Sequence, residues 1–268
     1  MKISIITPVF NSAKSISRNV NSIVKQTHQD FEQIVIDNLS NDDTLNIIQN
    51  IYNEHGVNNK LKIISEPDSG IADAFNKGIN ASSGNVIAIL NSDDEYYNDK
   101  VFEEVINLFK ESEPSFVYGD IKFIDAIYGS NLRKPLLCDL SVAMPYNHPA
   151  MFIKKELYQK CGMYDTSFKY AMDYELIVRL EKNIPLFRDK GKYLSGQPIA
   201  LMNAGGESWK NEIKGIKETR LALIKHGLWN FSAKKNYVLR ISRVRIKKII
   251  HLLGLKYLIA LWRNHKWS

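Results

Sequence analysis

The 268-residue chain has only two cysteines, Cys138 and Cys161, and neither stands in a Cys-x-x-Cys pair or near clustered histidines. A disulfide framework needs several paired cysteines, and a thiolate metal site needs grouped cysteines and histidines, so both kinds of site are excluded. Because unpaired, reduced thiols are typical of cytoplasmic proteins, we expect a cytoplasmic location.

The chain also lacks long apolar runs. No stretch of about 18 uncharged apolar residues is present, which predicts that no helix crosses a membrane. The apolar run in residues 1–10 is short, is broken by Thr7-Pro8 and lacks a small-residue cleavage site, so we expect no signal peptide. Hydrophobic residues still make up 44% of the chain, which is typical of a folded protein with a buried core.

Two common nucleotide-binding motifs are missing. No Gly-x-Gly-x-x-Gly follows the first predicted strand, which argues against a dinucleotide site of the NAD type. The Gly-x-x-x-x-Gly-Lys-[Ser/Thr] pattern is absent, which excludes a P-loop. A nucleotidyltransferase would need a Gly-rich, basic N-terminal loop, and residues 7–12 contain neither glycine nor a cation.

Acidic residues are scarce at the end of the chain. Residues 209–268 contain 15 of the 36 Lys and Arg residues but only two acids, Glu212 and Glu218. Such a tail predicts a polyanionic partner, either a nucleic acid or an anionic membrane surface. Its cations alternate with Ile and Leu rather than with stacking aromatics, so we expect the membrane surface and no nucleic acid.

Apolar periodicity in the first ninety residues alternates between strand and helix. Runs rich in β-branched residues predict strands at 3–6, 31–36, 61–65 and 86–90. Spacing of 3.6 residues predicts helices between them, one ending near 26 and the others at 44–52 and 70–80. This alternation predicts an α/β fold with a Rossmann-like, mostly parallel, mixed central sheet flanked by helices.

Residues 96–208 are less regular. Their pattern predicts helices at 101–110, 154–161 and 171–180, and strands at 116–124, 150–153 and 193–202. Tyr118-Gly119-Asp120 interrupts the first of these strands, and Gly196 and Pro198 break the last. We therefore expect three parts, a first half at 1–95, a second half at 96–208 and a basic helical tail at 209–268.

Two adjacent carboxylates, Asp93 and Asp94, follow the buried strand predicted at 86–90. Ligands of open α/β sheets collect at the carboxyl ends of the strands. Carboxylates there can hold a hard divalent cation, which in turn can neutralise a diphosphate. The alternative is that Ser92-Asp93 caps the helix that begins near Lys100.

Other polar residues also stand at or just beyond predicted strand ends, namely Thr7, Asn11, Asp37, Asp68 and Asp73. Several such residues on one sheet edge predict a site for a polar, phosphorylated ligand with a metal ion. Asp173 opens a predicted helix, where the dipole favours an acid, so a purely structural role stays open for it. Gly205-Gly206 is either a flexible turn or a point where the backbone approaches a ligand closely.

Six stretches together resemble the family 2 glycosyltransferases, which are inverting enzymes with the GT-A fold. They are the first strand at 3–11, the loop at 37–44, the segment 65–78, Asn91–Asp94 in the place of the DXD-type motif, 171–176 and 205–208. The segments 65–78 and 205–208 are similar to a branch that builds bacterial surface polysaccharides. Met172 replaces the Glu often found before the catalytic Asp. The Gln-x-x-Arg-Trp motif of processive members is absent, so we expect transfer of a single sugar.

The resemblance implies a nucleotide-diphosphate sugar as donor, with uracil as the expected base and thymine or guanine as alternatives. Asp37 would accept a hydrogen bond from the uracil N–H. Asp93 would contact the ribose or the donor sugar, and Asp94 would bind Mn²⁺ or Mg²⁺. The other implied donor-binding residues are Thr7, Pro8, Asn11, Asp68, Asp73, Asn76, Lys77 and Asn91.

The resemblance also implies that Asp173 is the general base toward a hydroxyl of a glycan or polyprenyl-linked acceptor. The implied acceptor contacts are Asp120, His148, Glu175, Gly205 and Gly206, and His148 has a structural role as its alternative. The product would belong to a capsule, an O-antigen or an exopolysaccharide. The alternative for the whole chain is a catalytically inactive module that binds nucleotide sugars or membranes.

A helical wheel over Val238–Leu253 divides the tail into two sides. Arg240, Arg243 and Lys247 lie opposite a broad apolar side formed by Val238, Leu239, Ile241, Ile246, Ile249, Ile250, Leu252 and Leu253. This pattern predicts an interfacial helix that holds the protein on the inner face of the cell membrane as a peripheral protein. The alternative is that the apolar side packs on the catalytic domain or on a second subunit of a homo-oligomer.

Overall fold

The computed structural model describes residues 1–125, 129–204 and 211–255. Strands and helices alternate in the first ninety residues, as predicted: β1 (Ile3–Val9), α1 (Ile16–Val24), β2 (Phe31–Asp37), α2 (Thr44–Glu54), β3 (Leu61–Ser65), α3 (Ile71–Ala81) and β4 (Val86–Ile89). β1 is longer than predicted, because its parallel ladder with β2 continues through Thr7 and Pro8 to Val9. Proline is tolerated there since β4 pairs only with Ile3–Ile6, which leaves one side of β1 without a ladder at Pro8.

The elements from residue 95 to 203 are β5 (Glu95–Tyr96), α4 (Val101–Ser112), β6 (Phe116–Gly119), β7 (Ile121–Asp125), β8 (Gly129–Arg133), β9 (Met151–Lys154), α5 (Lys155–Cys161), α6 (Met172–Asn183), β10 (Gly191–Leu194) and β11 (Ala200–Asn203). A seven-stranded sheet has the order β10-β6-β9-β4-β1-β2-β3, and only β9 runs antiparallel to its neighbours. A smaller sheet has the order β5-β11-β7-β8. The predicted mostly parallel, mixed sheet flanked by helices is confirmed.

Two of the predicted strands each change sheet halfway. The strand predicted at 116–124 divides into β6 of the large sheet and β7 of the small one, and the strand predicted at 193–202 divides into β10 and β11 in the same way. The last pair in the large sheet is Leu194 with Gly119, and the first pair in the small sheet is Ala200 with Ile121. A Cβ atom on Gly119 would lie 2.8 Å from Ile199 Cδ1, so a larger residue at the crossing would have to displace the buried Ile199 side chain.

The helix-cap alternative for Ser92-Asp93 is wrong. Helix α4 begins at Val101 with Lys100 at its N-cap, and strand β5 lies between that helix and Asp93. The Ser92 hydroxyl instead lies 3.0 Å from the hydroxyl of Ser12, which joins the loops that follow β4 and β1.

Apolar side chains cover both faces of the large sheet. One cluster joins α3, α6 and one face of the sheet through residues such as Phe75, Phe116 and Tyr174, and a second packs Phe102 of α4 with Phe152 of β9. A third cluster joins α1 and α2 to β1 and β2. Burial on both faces explains why the central strands are almost entirely apolar.

The tail contains two helices in the described residues, α7 (Glu212–Lys225) and α8 (Phe231–Leu252). Ala233 and Val244 are the buried residues of α8. The side of α8 that faces the rest of the protein carries two cations beside Ala233 and Val244. Arg240 donates a hydrogen bond to Thr219 Oγ1 of α7 at 3.1 Å, and Lys247 pairs with Glu212. The apolar side of α8 faces outward, with Val238, Leu239, Ile246, Ile249 and Leu252 exposed.

The alternative that the apolar side of α8 packs on the catalytic domain is therefore wrong. In a helix of this composition, the cationic residues normally face solvent and the apolar residues face the core. Here most of the apolar side is exposed, together with five of the seven Lys and Arg residues of the helix, Lys234, Lys235, Arg243, Arg245 and Lys248. Within the described ranges, no helix is both long and apolar enough to cross a membrane.

Candidate active site

A cleft of about 900 Å³ lies where β1 and β4 end, at the edge predicted from the polar residues. Its size is within the range of small-molecule binding sites. Of the residues predicted to form the site, the cleft brings together Pro8, Asn11, Asp68, Asn91, Asp93, Asp94, His148 and Asp173.

One wall of the cleft is built by two interlocked loops. Asn11 has a positive φ of 48°, its backbone N–H donates to Ser40 Oγ at 2.9 Å, and its side-chain oxygen accepts from the N–H of Asn41 at 3.0 Å. Asp37 lies below this wall and is fully buried. Its carboxylate accepts from the Ser40 N–H at 3.0 Å and from the Ser65 hydroxyl at 2.6 Å, so it holds the loop after β2 to the end of β3.

Asp94 is the most buried acid in the cleft. Burial raises the pKa of its carboxyl well above the usual value, the charge of Asp93 raises it further, and hydrogen bonds from Asn203 and Asn91 oppose the shift. The Asn203 N–H donates to Asp94 Oδ1 at 3.3 Å, and the Asn203 side-chain amide donates to the carbonyl of Asp93 at 2.7 Å. The fixed, desolvated carboxylate therefore favours a counter-ion.

The oxygen atoms around Asp94 fit a hard divalent cation. Asn91 Oδ1 is buried and has no hydrogen-bond partner among the described residues, although a buried amide oxygen normally has one. Carboxylate and amide oxygens are the ligands that Mg²⁺ and Mn²⁺ prefer. The described residues contain no group of three or more His, Cys, Asp or Glu side chains arranged for a metal, so among them the site offers two carboxylates and one amide.

Asp173 lies in the first turn of α6 and lines the same cleft. Its Oδ1 accepts a hydrogen bond from the N–H of Tyr174 at 2.8 Å, which leaves Oδ2 available. His148 is near it: burial lowers the pKa of this histidine, and the negative charge of Asp173 opposes that shift. His148 Nε2 lies 3.3 Å from the Tyr164 hydroxyl, so a neutral histidine and an acid share this wall.

Glu218, which the sequence analysis did not single out, holds the segment just before α6. Its carboxylate accepts hydrogen bonds from three consecutive backbone N–H groups, at 3.1 Å from Lys169, 2.7 Å from Tyr170 and 2.9 Å from Ala171. The tail thus anchors the chain two residues before Asp173. Glu218 is one of only two acids in residues 209–268, and this rarity is the sequence signal that could have identified it.

Besides Asp37, four predicted donor-binding residues do not line the cleft. Thr7 is buried inside β1, where its hydroxyl accepts from Gln33 at 2.9 Å. Asp73 accepts from the Ser69 N–H at the start of α3, and Lys77 pairs with Glu66 at 2.9 Å. Asn76 exchanges two hydrogen bonds of 2.8 Å with the backbone of Tyr164. These side chains shape the loops around the cleft.

Two predicted acceptor contacts also lie away from the cleft. Asp120 accepts from the Tyr193 hydroxyl at 2.7 Å, at the point where the strands change sheet. Glu175 is fully buried and pairs with Arg179 at 2.9 Å and with His226 at 2.8 Å, so its position does not fit contact with an acceptor. Gly205 and Gly206 lie outside the described residues.

Comparisons with known proteins agree with this architecture. The family model described as glycosyl transferase family 2 matches residues 4–172. A PGL/p-HBAD biosynthesis glycosyltransferase of Mycobacterium bovis is 31% identical over 184 residues, which are 67% of this chain and 70% of that protein. A hyaluronan synthase of Pasteurella multocida is 28% identical over 185 residues, which are 67% of this chain but only 19% of that protein.

Solved structures show the same fold. The crystal structure of S. aureus TarS residues 1–349 with UDP matches with a TM-score of 0.65 and 20% identity, covering 84% of this chain and 66% of that one. The mannosyltransferase PcManGT from Pyrobaculum calidifontis, with GDP-Man and Mn²⁺, matches with a TM-score of 0.61 and 13% identity. The match covers 97% of this chain and 80% of that one. The chain has the GT-A fold, and it belongs to glycosyltransferase family 2.

Proposed function

We propose that this chain is an inverting, metal-dependent glycosyltransferase that moves one sugar from a nucleotide-diphosphate donor to a hydroxyl of a glycan or lipid-linked acceptor. A UDP-sugar is the preferred donor, because a similar structure holds UDP. The observation that carries the proposal is that the acid pair Asp93-Asp94 and the distant acid Asp173 line one cleft. Acids on the donor side suit a metal ion that stabilises the leaving diphosphate, and an acid on the acceptor side suits a general base.

The donor side is formed by residues that line the cleft or brace its wall. Asn11 and Asp68 are assigned to the nucleotide together with Pro8 and Asn91. Asp37 remains the candidate for binding the uracil of the nucleotide, because a carboxylate that accepts two hydrogen bonds still has free lone pairs. Asp93 is assigned to the ribose or the sugar.

Asp94, with Asp93 and Asn91 Oδ1 beside it, would hold Mn²⁺ or Mg²⁺. When bound, such an ion stabilises the charge on the departing nucleoside diphosphate. PcManGT, a structural relative, was crystallised with Mn²⁺, which supports this assignment.

Asp173 acts as the general base. Its free carboxylate oxygen takes the proton of the acceptor hydroxyl while that oxygen forms a bond to the anomeric carbon of the sugar. The bond from that carbon to the diphosphate oxygen breaks in the same step, and the nucleoside diphosphate leaves with the electron pair. Because attack and departure are on opposite faces, the configuration inverts. His148 is assigned to orienting the acceptor.

The products we propose are bacterial surface polysaccharides, made on the inner face of the cell membrane. The exposed apolar side of α8 is flanked by Lys234, Lys235, Arg245 and Lys248, a combination typical of helices that lie in a membrane interface. Association of this side with a second subunit is the competing outcome.

A thermal-shift screen tests the proposal. The full-length protein is incubated with a panel of nucleotide sugars, with and without Mn²⁺, and the release of nucleoside diphosphate is then measured for each compound that binds. We expect stabilisation by one class of nucleotide sugar that depends on Mn²⁺. If no compound stabilises the protein, the proposal fails. Stabilisation without turnover in the presence of glycan and lipid-linked acceptors would instead support the inactive binding module.

A further inference from the structure

A second cavity, of about 420 Å³, lies beside the cleft and between α7, α8 and the catalytic domain. The two cavities share part of their walls, namely Arg133, Tyr146, Asn147, Tyr170, Asp173 and Glu212. Asp93 and Asp94 line only the cleft. Asp173 therefore stands between the acid pair on one side and the second cavity on the other.

The second cavity is strongly basic. Among the described residues that line it, four are cations, Arg133, Arg240, Arg243 and Lys247, and two are carboxylates, Asp173 and Glu212. Lys247 pairs with Glu212, and Asp173 is assigned to catalysis. Arg240 and Arg243 supply the positive charge available to a ligand, and their planar groups suit phosphate oxygens.

Arg240 is the residue that most needs a ligand. Its side chain is half-buried, and this desolvation lowers the pKa of its guanidinium, whereas the charges of Tyr174 and Glu212 oppose the shift. Its hydrogen bond in the described part of the chain is to the neutral hydroxyl of Thr219. No carboxylate of the described residues is within salt-bridge distance of Arg240 or Arg243. A desolvated cation without an acidic partner is costly, and a bound anion removes that cost.

We propose that this cavity binds the phosphate or diphosphate of the acceptor, so that the acceptor hydroxyl is presented to Asp173. The proposal rests on the proposed function, since it assigns the second substrate of the same site. The anion is carried by a lipid rather than free, because Arg240 lies on the inner side of the helix whose outer side is apolar and exposed. Arg243 lines the cavity and is itself exposed, so a lipid held at α8 can place its headgroup in the cavity.

Calorimetric titration of the full-length protein in EDTA tests this assignment, because the donor site is not expected to hold a diphosphate without metal. The ligands are farnesyl diphosphate, inorganic pyrophosphate and farnesol. The variants are Arg240→Gln and Arg243→Gln, with Arg220→Gln as the matched control, since Arg220 is exposed on α7 and lines neither cavity. Arg243 is itself exposed, so its variant is not expected to unfold even if Arg240→Gln does.

We expect wild-type protein and Arg220→Gln to bind farnesyl diphosphate equally, and each cavity variant to bind it about tenfold more weakly or worse. Binding of farnesol as tight as that of farnesyl diphosphate would overturn the anion site. Binding of pyrophosphate as tight as that of farnesyl diphosphate would overturn the lipid-borne acceptor. Equal binding of farnesyl diphosphate by Arg243→Gln and Arg220→Gln would overturn the anion site.

The same variants separate this proposal from the proposed function. Mn²⁺-dependent UDP binding reports on the donor site, and we expect Arg240→Gln and Arg243→Gln to retain it. If UDP binding is absent in all proteins but the arginine variants still lose farnesyl diphosphate, the proposed function fails and the anion site stands. If all proteins bind UDP but the arginine variants bind farnesyl diphosphate as tightly as the wild type, the anion site is refuted and the proposed function stands.

Discussion

Asn203 and Asp94 are 109 positions apart in the chain, yet the N–H of Asn203 donates to Asp94 Oδ1 at 3.3 Å. The side chain of Asn203 also holds the carbonyl of Asp93 at 2.7 Å. One residue at the end of β11 thus fixes both members of the acid pair, which the sequence alone presents as a free loop after β4.

Asp94→Asn should abolish metal-dependent donor binding while the protein stays folded. Asparagine keeps the shape but removes the charge that balances a divalent cation. We expect the affinity for UDP in Mn²⁺ to fall by more than about tenfold, since even residues behind a metal ligand typically contribute about 10–100-fold. Calorimetry measures this. Asp99→Asn is the control, because Asp99 is exposed, and equal affinity in the two variants would contradict the metal assignment.

Asp173→Asn should remove turnover and spare donor binding. The amide cannot take the proton of the acceptor hydroxyl, and general-base catalysis contributes about 10²–10⁴-fold. The rate of nucleoside-diphosphate release with acceptor present and the Kd for UDP are measured together. The exposed acid Asp189, changed to Asn, serves as control. If Asp173→Asn kept more than about a tenth of the wild-type rate, Asp173 would not be the general base.

Glu218→Ala should lower kcat without weakening UDP binding, because it frees the three N–H groups that hold residues 169–171 ahead of Asp173. A displacement of about 1 Å at a catalytic group can cost about 100-fold. Glu218→Gln retains one accepting oxygen and should recover part of the rate, which a general loss of stability would not explain. Lys217→Ala on the same helix is the control. Equal kcat in Glu218→Ala and Lys217→Ala would contradict the positioning role.

Glu32→Gln should make stability depend less on pH in acid. Burial by itself would raise the pKa of Glu32, but hydrogen bonds from Ser4, Ser83 and Lys2 outweigh it and lower the pKa from 4.5 to about 2. The ionised form therefore stabilises the fold above about pH 4.5, and this contribution is lost as the pH falls toward 2.

At pH 7 we expect Glu32→Gln to cost about 1–2 kcal/mol, a value reduced for screening by the solvent that still reaches the side chain. Urea unfolding at a series of pH values measures the difference, which should shrink below about pH 4.5. The exposed Glu54, changed to Gln, should show no such trend. A constant difference between pH 7 and pH 3 would argue against the lowered pKa.

The double variant Ile246→Ser and Ile249→Ser should lose sedimentation with anionic vesicles. Both side chains are 55% exposed, so their loss removes membrane contact without disturbing the core. Leu186→Ser is the control, because Leu186 is 75% exposed and far from the tail in sequence. Wild-type protein should bind anionic but not neutral vesicles, and less at high salt. Equal sedimentation of the two variants would contradict docking through α8.

The first half of the fold could be predicted from the sequence because its signals are local. Each strand and helix up to β4 is a separate apolar pattern, and ligands of such sheets gather at the strand ends. The division of residues 116–124 and 191–203 between two sheets depends on pairings far apart in the chain. The sequence marked the interruption at Gly119 but not the change of sheet.

The orientation of α8 and the role of Glu218 could not be predicted for a related reason. The helical wheel separates the two sides of α8 correctly, but it does not say which side meets the protein. Glu218 has the appearance of an ordinary surface acid on an amphipathic helix, and its three backbone partners lie 47 to 49 positions earlier. The opposite case is a residue predicted to contact a ligand that instead bonds to other groups of the protein. Thr7, Asn76 and Glu175 are examples.

The short ladder between β5 and β11 makes two distant segments interdependent in length. Leu201 pairs with Glu95, and Ala200 pairs with Tyr96. The register of this ladder therefore sets where Asn203 lies relative to Asp94. One residue inserted on either side would turn the Asn203 side chain to the opposite face of the sheet and separate it from the acid pair. Among natural variants of this chain, insertions between 94 and 96 should therefore occur only together with compensating changes at 200–203.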